Sequence, residues 1–271
     1  MGPMSDVRDQ WAAGSKYEDF MGRWSRLLAP RFVSWLGVPD RAHWLDVGCG
    51  TGAMTSAICA HASPSWVVGC DPAAPFIEYA REHVQDSRAS FVVGGIDSLP
   101  PPHRHARFRS VTSLLVLNFF PDAEAAVRVM RLRTNTGGVV SACVWDYADG
   151  MQFLRRFWDA AVSFDPAAAA LDEGRRFPLC HPAPLVDLFA ASGLRDVKCE
   201  AIDIPTEFAS FDDYWRPLLG GTGPAPSYVA SLDEERRAEL ARRIEQNLPR
   251  TSAGAIALRA RAWAVRGTAH E

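Results

Sequence analysis

Short apolar runs alternate with stretches of helical periodicity through the first half of the chain. Runs at His43–Val47, Trp66–Cys70, Ser90–Val93, Ser110–Leu117 and Gly138–Trp145 predict strands. Between most of them, Thr51–His61, Pro75–Gln85 and Asp122–Leu132 carry helical spacing. Such strand–helix–strand alternation predicts a mainly parallel sheet with right-handed crossovers. A separate helical segment rich in aromatic residues, Tyr17–Leu36, comes first. After Trp145 the rhythm breaks, and Met151–Phe164, Pro166–Arg175 and Pro184–Ser192 read as successive helices. Alternation returns at Val197–Ile204 and Ile256–Val265, which suit an antiparallel pair. Between these two runs, Phe208–Leu248 holds a Gly/Pro loop, LLGGTGPAPSY, and a charged amphipathic helix, Asp233–Asn247. With no internal repeat and no long linker, the pattern predicts one α/β domain with inserted helices. Its expected parts are an N-terminal helical lid (1–40), a ligand-binding core (41–148), a helical cap (149–194), and a C-terminal part of the sheet (195–271) with a second cap insertion at about 206–250.

Composition narrows the class. The chain has 271 residues, 48% hydrophobic and 23% charged, which suits a soluble protein with a substantial core. A formal net charge of −3 supplies no global basic field, so a nucleic-acid partner is disfavoured. Six cysteines (Cys49, Cys59, Cys70, Cys143, Cys180, Cys199) show neither a C-x-x-C pair nor metal-ligand spacing, which predicts free thiols in a reducing cytoplasm and no metal. No apolar run has the length of a membrane span, and MGPMSDVRDQ lacks the apolar centre of a signal peptide. Met1–Pro3 read as an appended scar before a native start at Met4. A cytoplasmic protein is therefore expected, and nothing sets its oligomeric state.

The stretch LDVGCGTGAMTSAI, Leu45–Ile58, packs three glycines into five residues between a strand and a helix. A turn of this kind lets backbone N–H groups and a helix N-terminus meet a ligand with no Cβ in the way. By itself GCGTGA also satisfies the dinucleotide fingerprint G-x-G-x-x-G/A. Three acids change the reading. Asp46 lies inside the strand end, where a dinucleotide site continues apolar and a carboxylate needs a cation or hydrogen-bond donor. In VVGCDPAAPFIEYAR, Asp71 ends the second strand, where a carboxylate can take both hydroxyls of a ribose. In FVVGGIDSLP, Asp97 follows the third strand, within reach of an adenine edge.

These residues resemble the class I S-adenosylmethionine-dependent methyltransferases, in the small-molecule branch that includes the ubiquinone and menaquinone C-methyltransferases. The matching stretches are LDVGCGTG, GCDP, GGIDSLP and LLVLNFFPDAEAAVRVMRLRTNTGG, from about Asp46 to Gly138. The resemblance implies a Rossmann-like seven-stranded sheet, mainly parallel, with an antiparallel last strand at Ile256–Val265, helices on both faces and an inserted helical cap. It implies S-adenosyl-L-methionine as cofactor. The Gly48–Gly52 turn would face the methionine portion, Asp71 would hold the ribose diol, and Asp97 with Ser98 would lie at the adenine. The cofactor set so implied is Asp46, Gly48, Cys49, Gly50 and Gly52, then Asp71 and Pro72, then Ile96, Asp97 and Ser98, with Leu115 ending the fourth strand. In KYEDFMGRWSRLLAP, Tyr17, Phe20, Met21 and Trp24 recur at helical spacing and resemble a lid helix. Tyr17 and Trp24 would cover the sulfonium, and Arg23 would meet the methionine carboxylate. Packing on the sheet is the plain alternative for the aromatic residues, and an exposed side chain for Arg23.

Two departures limit what carries over. Arg109 stands where the family usually has an acid in F-D-x-V, and it reads as a strand-mouth residue. Asn118 in LNFFP lacks the two prolines of enzymes that methylate exocyclic or amide nitrogen, so that chemistry is not implied. Methyl transfer needs an in-line nucleophile and exclusion of water, and most of the barrier reduction is positional. Asp146, Tyr147 and His181 are candidate bases, or loop and capping residues. Asn118, Phe119, Trp145, Tyr147, Phe157, Trp158 and Trp215 are candidate substrate-facing residues, with core packing the default for each aromatic one. The basic loop PPHRHARFR reads as a solvated surface loop. The expected activity is methylation of a small organic acceptor, for example a natural product, under two insertions and a lid that share one pocket. Trp215, beside Gly-Gly-Thr-Gly-Pro, would be a mobile wall or an anchor. A cyclase or pericyclase that keeps the cofactor as a scaffold is the alternative; a nicotinamide-dependent oxidoreductase is disfavoured by Asp46 and Asp97.

Overall fold

Seven strands form one sheet in the order β3-β2-β1-β4-β5-β7-β6. The computed structural model describes residues 18–99, 106–220 and 223–270. β1 (His43–Val47), β2 (Trp66–Asp71), β3 (Ala89–Val93), β4 (Phe108–Leu114) and β5 (Thr134–Trp145) pair in parallel. β7 (Ile256–Thr268) enters antiparallel between β5 and β6 (Arg195–Phe208). The central strands β1 and β4 are buried on both faces over most of their length, with Asp46, Ser110, Thr112 and Ser113 among the buried side chains. The outer strand β6 alternates toward its C-terminal end and extends past Val197–Ile204 on both sides.

The helices are α1 (Arg23–Leu36), α2 (Ala53–His61), α3 (Ala74–His83), α4 (Ala123–Leu132), α5 (Gln152–Phe164), α6 (Pro182–Ala191), α7 (Pro224–Ser231) and α8 (Glu234–Asn247). Asp122 and Asp233 cap α4 and α8 by accepting from Ala125 N and Arg236 N. The expected helix over Pro166–Arg175 is two pieces, a 3-10 turn Pro166–Ala170 and one helical turn Glu173–Arg176, because Asp165 and Asp172 each cap a new start. The expected strand Ser110–Leu117 stops at Leu114: Leu115 takes φ +62° and turns the chain into a 3-10 turn, Leu117–Phe119.

α1 spans the sheet between two anchors. Leu28, Phe32 and Leu36 recur at i, i+4 and are fully buried. Its C-terminus closes on Gly37 with φ +59°, and Arg266 of β7 donates to the carbonyl of Leu36 while stacking on Trp35. At its start a π-helical turn, Glu18–Gly22, reaches the loop after β1. Among the described residues no helix is long and apolar enough to cross a membrane.

The expected caps need redrawing. α6 packs on α4, β6 and β7, so it is an ordinary crossover helix of the sheet's outer layer. What remains, 152–176 together with 211–248, extends the sheet's core into an aromatic cluster continuous with it. Trp24, Phe153, Phe208 and Tyr214 meet there with ring centroids 5.1–6.2 Å apart. Phe157, Trp158 and Tyr228 form its other half. The hydroxyl of Tyr214, fully buried within this core, donates to the carbonyl of Phe153 at 2.7 Å and ties the second insertion to the first.

Tyr214→Phe should therefore cost about 1–2 kcal/mol of stability, the value of one buried hydrogen bond. Thermal unfolding is expected to shift down by a few degrees, with the affinity for S-adenosylhomocysteine unchanged in the same preparation.

Candidate active site

One cavity of about 530 Å³ opens where β1, β2 and β4 end, on the side of an α/β sheet where ligands bind. β1 delivers Asp46 and Val47, and the chain then turns through Gly48, Gly50 and Gly52 with φ of +69°, +51° and +86°. The turn is pinned to β2. Gly48 N and Cys49 N both donate to the Cys70 carbonyl at 2.8 and 3.1 Å. Gly50 N donates to Asp71 Oδ2 at 3.1 Å, and Asp71 Oδ1 accepts from Ala73 N at 2.8 Å.

The three glycines are glycine for different reasons. A Cβ on Gly48 would lie 2.6 Å from Val116, and one on Gly52 would lie 2.9 Å from Val84 and 3.3 Å from Ala80. The protein itself excludes side chains there. A Cβ on Gly50 would meet nothing within 4 Å and would project from a residue that lines the cavity. That position is kept bare toward open space.

The two strand-end acids give the cavity a polar end. Asp46 is fully buried between β2 and β4; its Oδ2 accepts from Thr55 Oγ1 at 2.7 Å, and its Oδ1 has no hydrogen-bond partner. Burial, with a smaller contribution from the nearby Asp71 carboxylate, pushes the Asp46 carboxyl up to about 7. Burial also raises Asp71, against the opposing effect of its two backbone N–H donors. Among the described residues the lining contains no Arg, Lys or His. The other end is apolar, with Phe119, Phe120, Trp145 and Tyr147 as its wall. Phe177 backs that wall, 5.1 Å from Phe119 and 5.6 Å from Tyr147 between ring centroids.

Of the expected cofactor residues, Asp46, Gly48, Cys49, Gly50, Asp71, Pro72, Ile96 and Leu115 line this cavity. Gly52 acts in packing instead. Asp97 is exposed and outside the lining, because the 3-10 turn Ile96–Ser98 directs Ile96 inward. Tyr17 and the Ser98 side chain fall outside what the structure describes. Arg23 and Trp24 are elsewhere: Arg23 donates to Asp213 Oδ1 at 2.9 Å and to the Glu207 carbonyl at 3.1 Å, and stacks 4.1 Å from the Trp24 ring. An acid of the second insertion and a carbonyl near the end of β6 have claimed the guanidinium, and Trp24 packs in the aromatic cluster.

Of the expected substrate residues, Phe119, Trp145 and Tyr147 line the cavity. Asn118, Phe157, Trp158 and Trp215 do not. Asn118 sits in the turn beside Phe119 with both amide atoms buried and unpartnered. The Trp158 indole donates to the buried Glu173 carboxylate. Trp215 stacks on Phe211 at 6.0 Å, in the place of an anchor. Beyond Tyr147 no described residue of either insertion lines the cavity, so the expected shared pocket is walled by the core and the start of α1. Asp146 caps the following turn by accepting from Asp149 N at 3.2 Å, and His181 precedes α6; neither lines the cavity. Met21, Ser25, Thr51, Phe76 and Phe120 do line it. Thr51 was open to inference from its place between two glycines, whereas Phe76 and Ser25 carry no sequence signal beyond helical spacing.

Residues 45–138 match a family model described as a methyltransferase domain. A demethylmenaquinone methyltransferase from Roseiflexus sp. (strain RS-1) is 28% identical over 182 residues, 61% of this chain and 73% of that protein. The YcgJ protein of Bacillus subtilis has the same fold at 17% identity and a TM-score of 0.57, covering 92% of this chain and 99% of that one. So does phosphoethanolamine N-methyltransferase 2 of Haemonchus contortus in complex with S-adenosyl-L-methionine, at 16% identity and a TM-score of 0.55, covering 95% of this chain and 57% of that one. The unpaired buried oxygen of Asp46 and the bare cradle at Gly50 fit a ligand with a cationic, donor-rich part. Residues 45–138 thus form a methyltransferase domain, and the chain as a whole has the fold of S-adenosylmethionine-dependent methyltransferases, with S-adenosyl-L-methionine as the cofactor that the domain and the ligand-bound neighbour support.

Proposed function

We propose that this enzyme methylates a small, uncharged organic acceptor, seated against the aromatic wall of the cavity. The observation that carries this reading is the polarity of the lining: two carboxyls at one end, aromatic and aliphatic side chains at the other, and no described cation to meet a carboxylate or phosphate. When bound, the cofactor supplies an electrophilic methyl group on a sulfonium. The polar end is its seat. Asp71 retains lone pairs beyond its two backbone contacts to accept from the ribose diol, and Asp46 offers its free oxygen to the donor-rich amino-acid end. Gly50 gives the backbone close approach. Phe119, Trp145 and Tyr147 exclude water and hold the acceptor flat. Positioning is then the main catalytic contribution, and Tyr147 is the one titratable group at the aromatic end among the described lining residues. A carbon or hetero-atom that is already nucleophilic suits such a wall.

Methyl-labelled cofactor incubated with a panel of neutral planar compounds and their carboxylated or phosphorylated counterparts tests the acceptor class. Label is expected in neutral members, and transfer confined to anionic members would overturn the reading.

Two substitutions in the glycine turn should separate binding from folding. Gly50→Val is expected to abolish S-adenosylhomocysteine binding in calorimetry. Gly52→Ala is expected to lose about 1–3 kcal/mol of stability through strain against Val84 and Ala80.

The Asp46 carboxyl also predicts a pH dependence. Its folded-state value, about 7, stands above its ordinary 3.8, so its favourable contribution is full below about pH 4 and is lost as pH rises through 7. Asp46→Asn should therefore melt above the parent at pH 8, without ligand, and the gap should close toward pH 4. Some decline remains in the variant, because burial raises Glu173 to about 7 as well. Superimposable melting profiles from pH 4 to 8 would exclude a buried, strained Asp46 carboxylate.

A further inference from the structure

We propose that Glu18 is a positioning residue for the cofactor turn, acting through the hydroxyl of Thr51. Thr51 lies between Gly50 and Gly52, is 2% exposed and lines the cavity. Its Oγ1 is 2.5 Å from Glu18 Oε1. The carboxylate comes from the π-helical turn that starts the N-terminal helical segment, 33 residues away in sequence.

The contact is built on both sides. Arg26, two turns along the same segment, donates from Nε to Glu18 Oε2 at 2.8 Å and from a terminal nitrogen to Oε1 at 3.1 Å. This bidentate clamp fixes the carboxylate plane and neutralises its charge. Gly22 leaves the room: a Cβ there would lie 2.6 Å from both Cδ and Oε2 of Glu18. Gly22 has ordinary helical dihedrals, so a Cβ there would disturb the present placement of the carboxylate and not the backbone. π-Helical turns recur at functional sites, and here the turn delivers one acid to one hydroxyl.

The consequence for the turn is chemical as well as mechanical. An ionised carboxylate only accepts hydrogen bonds, so Thr51 must donate its proton to Glu18. The Thr51 oxygen then keeps lone pairs alone for the cavity. It becomes a third acceptor beside Asp46 and Asp71, suited to a donor group on the ligand and adding no charge of its own. Glu18 thus sets both the place of the turn and the polarity of its one hydroxyl.

This assignment rests on the reading of the cavity as the cofactor seat. Its test is S-adenosylhomocysteine binding by calorimetry in Glu18→Ala, Thr51→Val, the double variant and Gly22→Ala, with thermal melts of each. Each single change is expected to weaken binding about tenfold, as for the loss of one charge-assisted hydrogen bond. The double variant should bind no worse than the weaker single, since one contact is removed twice. Glu18→Gln, which keeps an acceptor oxygen, should recover part of the loss. Additive losses, or lowered melting temperatures with unchanged affinity, would overturn the proposal and leave Glu18 a structural residue. Should Glu18→Ala not fold, Gly22→Ala and Thr51→Val still read the same contact. Gly50→Val serves as the reference: normal binding there means that the cavity reading has failed, whereas its loss alongside normal binding in the Glu18 variants overturns this assignment alone.

Discussion

Two carboxyl groups at the ends of adjacent parallel strands, with no described cation of the protein lining their cavity, are the constraint around which the rest is arranged. Register puts them there: Asp46 is opposite Gly69 and Val47 opposite Cys70, so Asp71 ends its strand just beyond the turn that Asp46 begins. Burying such groups costs free energy unless donors meet them. The chain provides a partial answer only, one hydroxyl from α2 for Asp46 and two backbone N–H groups for Asp71. One oxygen is left with no partner at all. The deficit leaves a polar end whose acceptors a donor-rich ligand would satisfy.

The aromatic cluster of the insertions lies behind the other end of the cavity. The apolar end of the cavity would collapse if its wall were free to move, and the wall residues are few. Phe177 braces Phe119 and Tyr147 from behind, while the insertions carry their own aromatic packing beside the sheet. No described residue of the insertions lines the cavity, and the N-terminal segment joins them to the site: Met21 and Ser25 are in the lining, while Trp24, between them in sequence, faces the aromatic cluster.

Much of this was legible in the chain because the signals were local. The short apolar stretches of β1, β2 and β5 stand out between helical patterns, and Gly48–Gly52 marks a tight strand-to-helix turn without help from distant residues. What was not legible depends on contacts remote in sequence. The reason for Gly48 is Val116, and the reason for Gly52 is the pair Val84 and Ala80. Helical spacing in the first segment gives a buried face, but it does not say that Phe208 and Phe153 take Trp24 or that Asp213 takes Arg23. The end of β4 was misjudged for a local reason with a distant cause: Leu115 adopts a left-handed backbone held by its N–H on the Cys143 carbonyl, and leucine gives no warning of it. Nothing local to Glu18 signals its contact with Thr51, 33 residues away.

β7 has a consequence for assembly. It fills the place between β5 and β6, and those two strands have no bonds to each other without it. Its Arg266 also caps the far end of α1, whose near end grips the glycine turn. α1 and the turn before it are thus held at both ends by partners remote in sequence, and β6 joins the sheet only through β7. Pairings of such separation are the slow kind in folding. A substitution that loosens β7 would therefore be felt at the sheet's outer strand and at the first helix together.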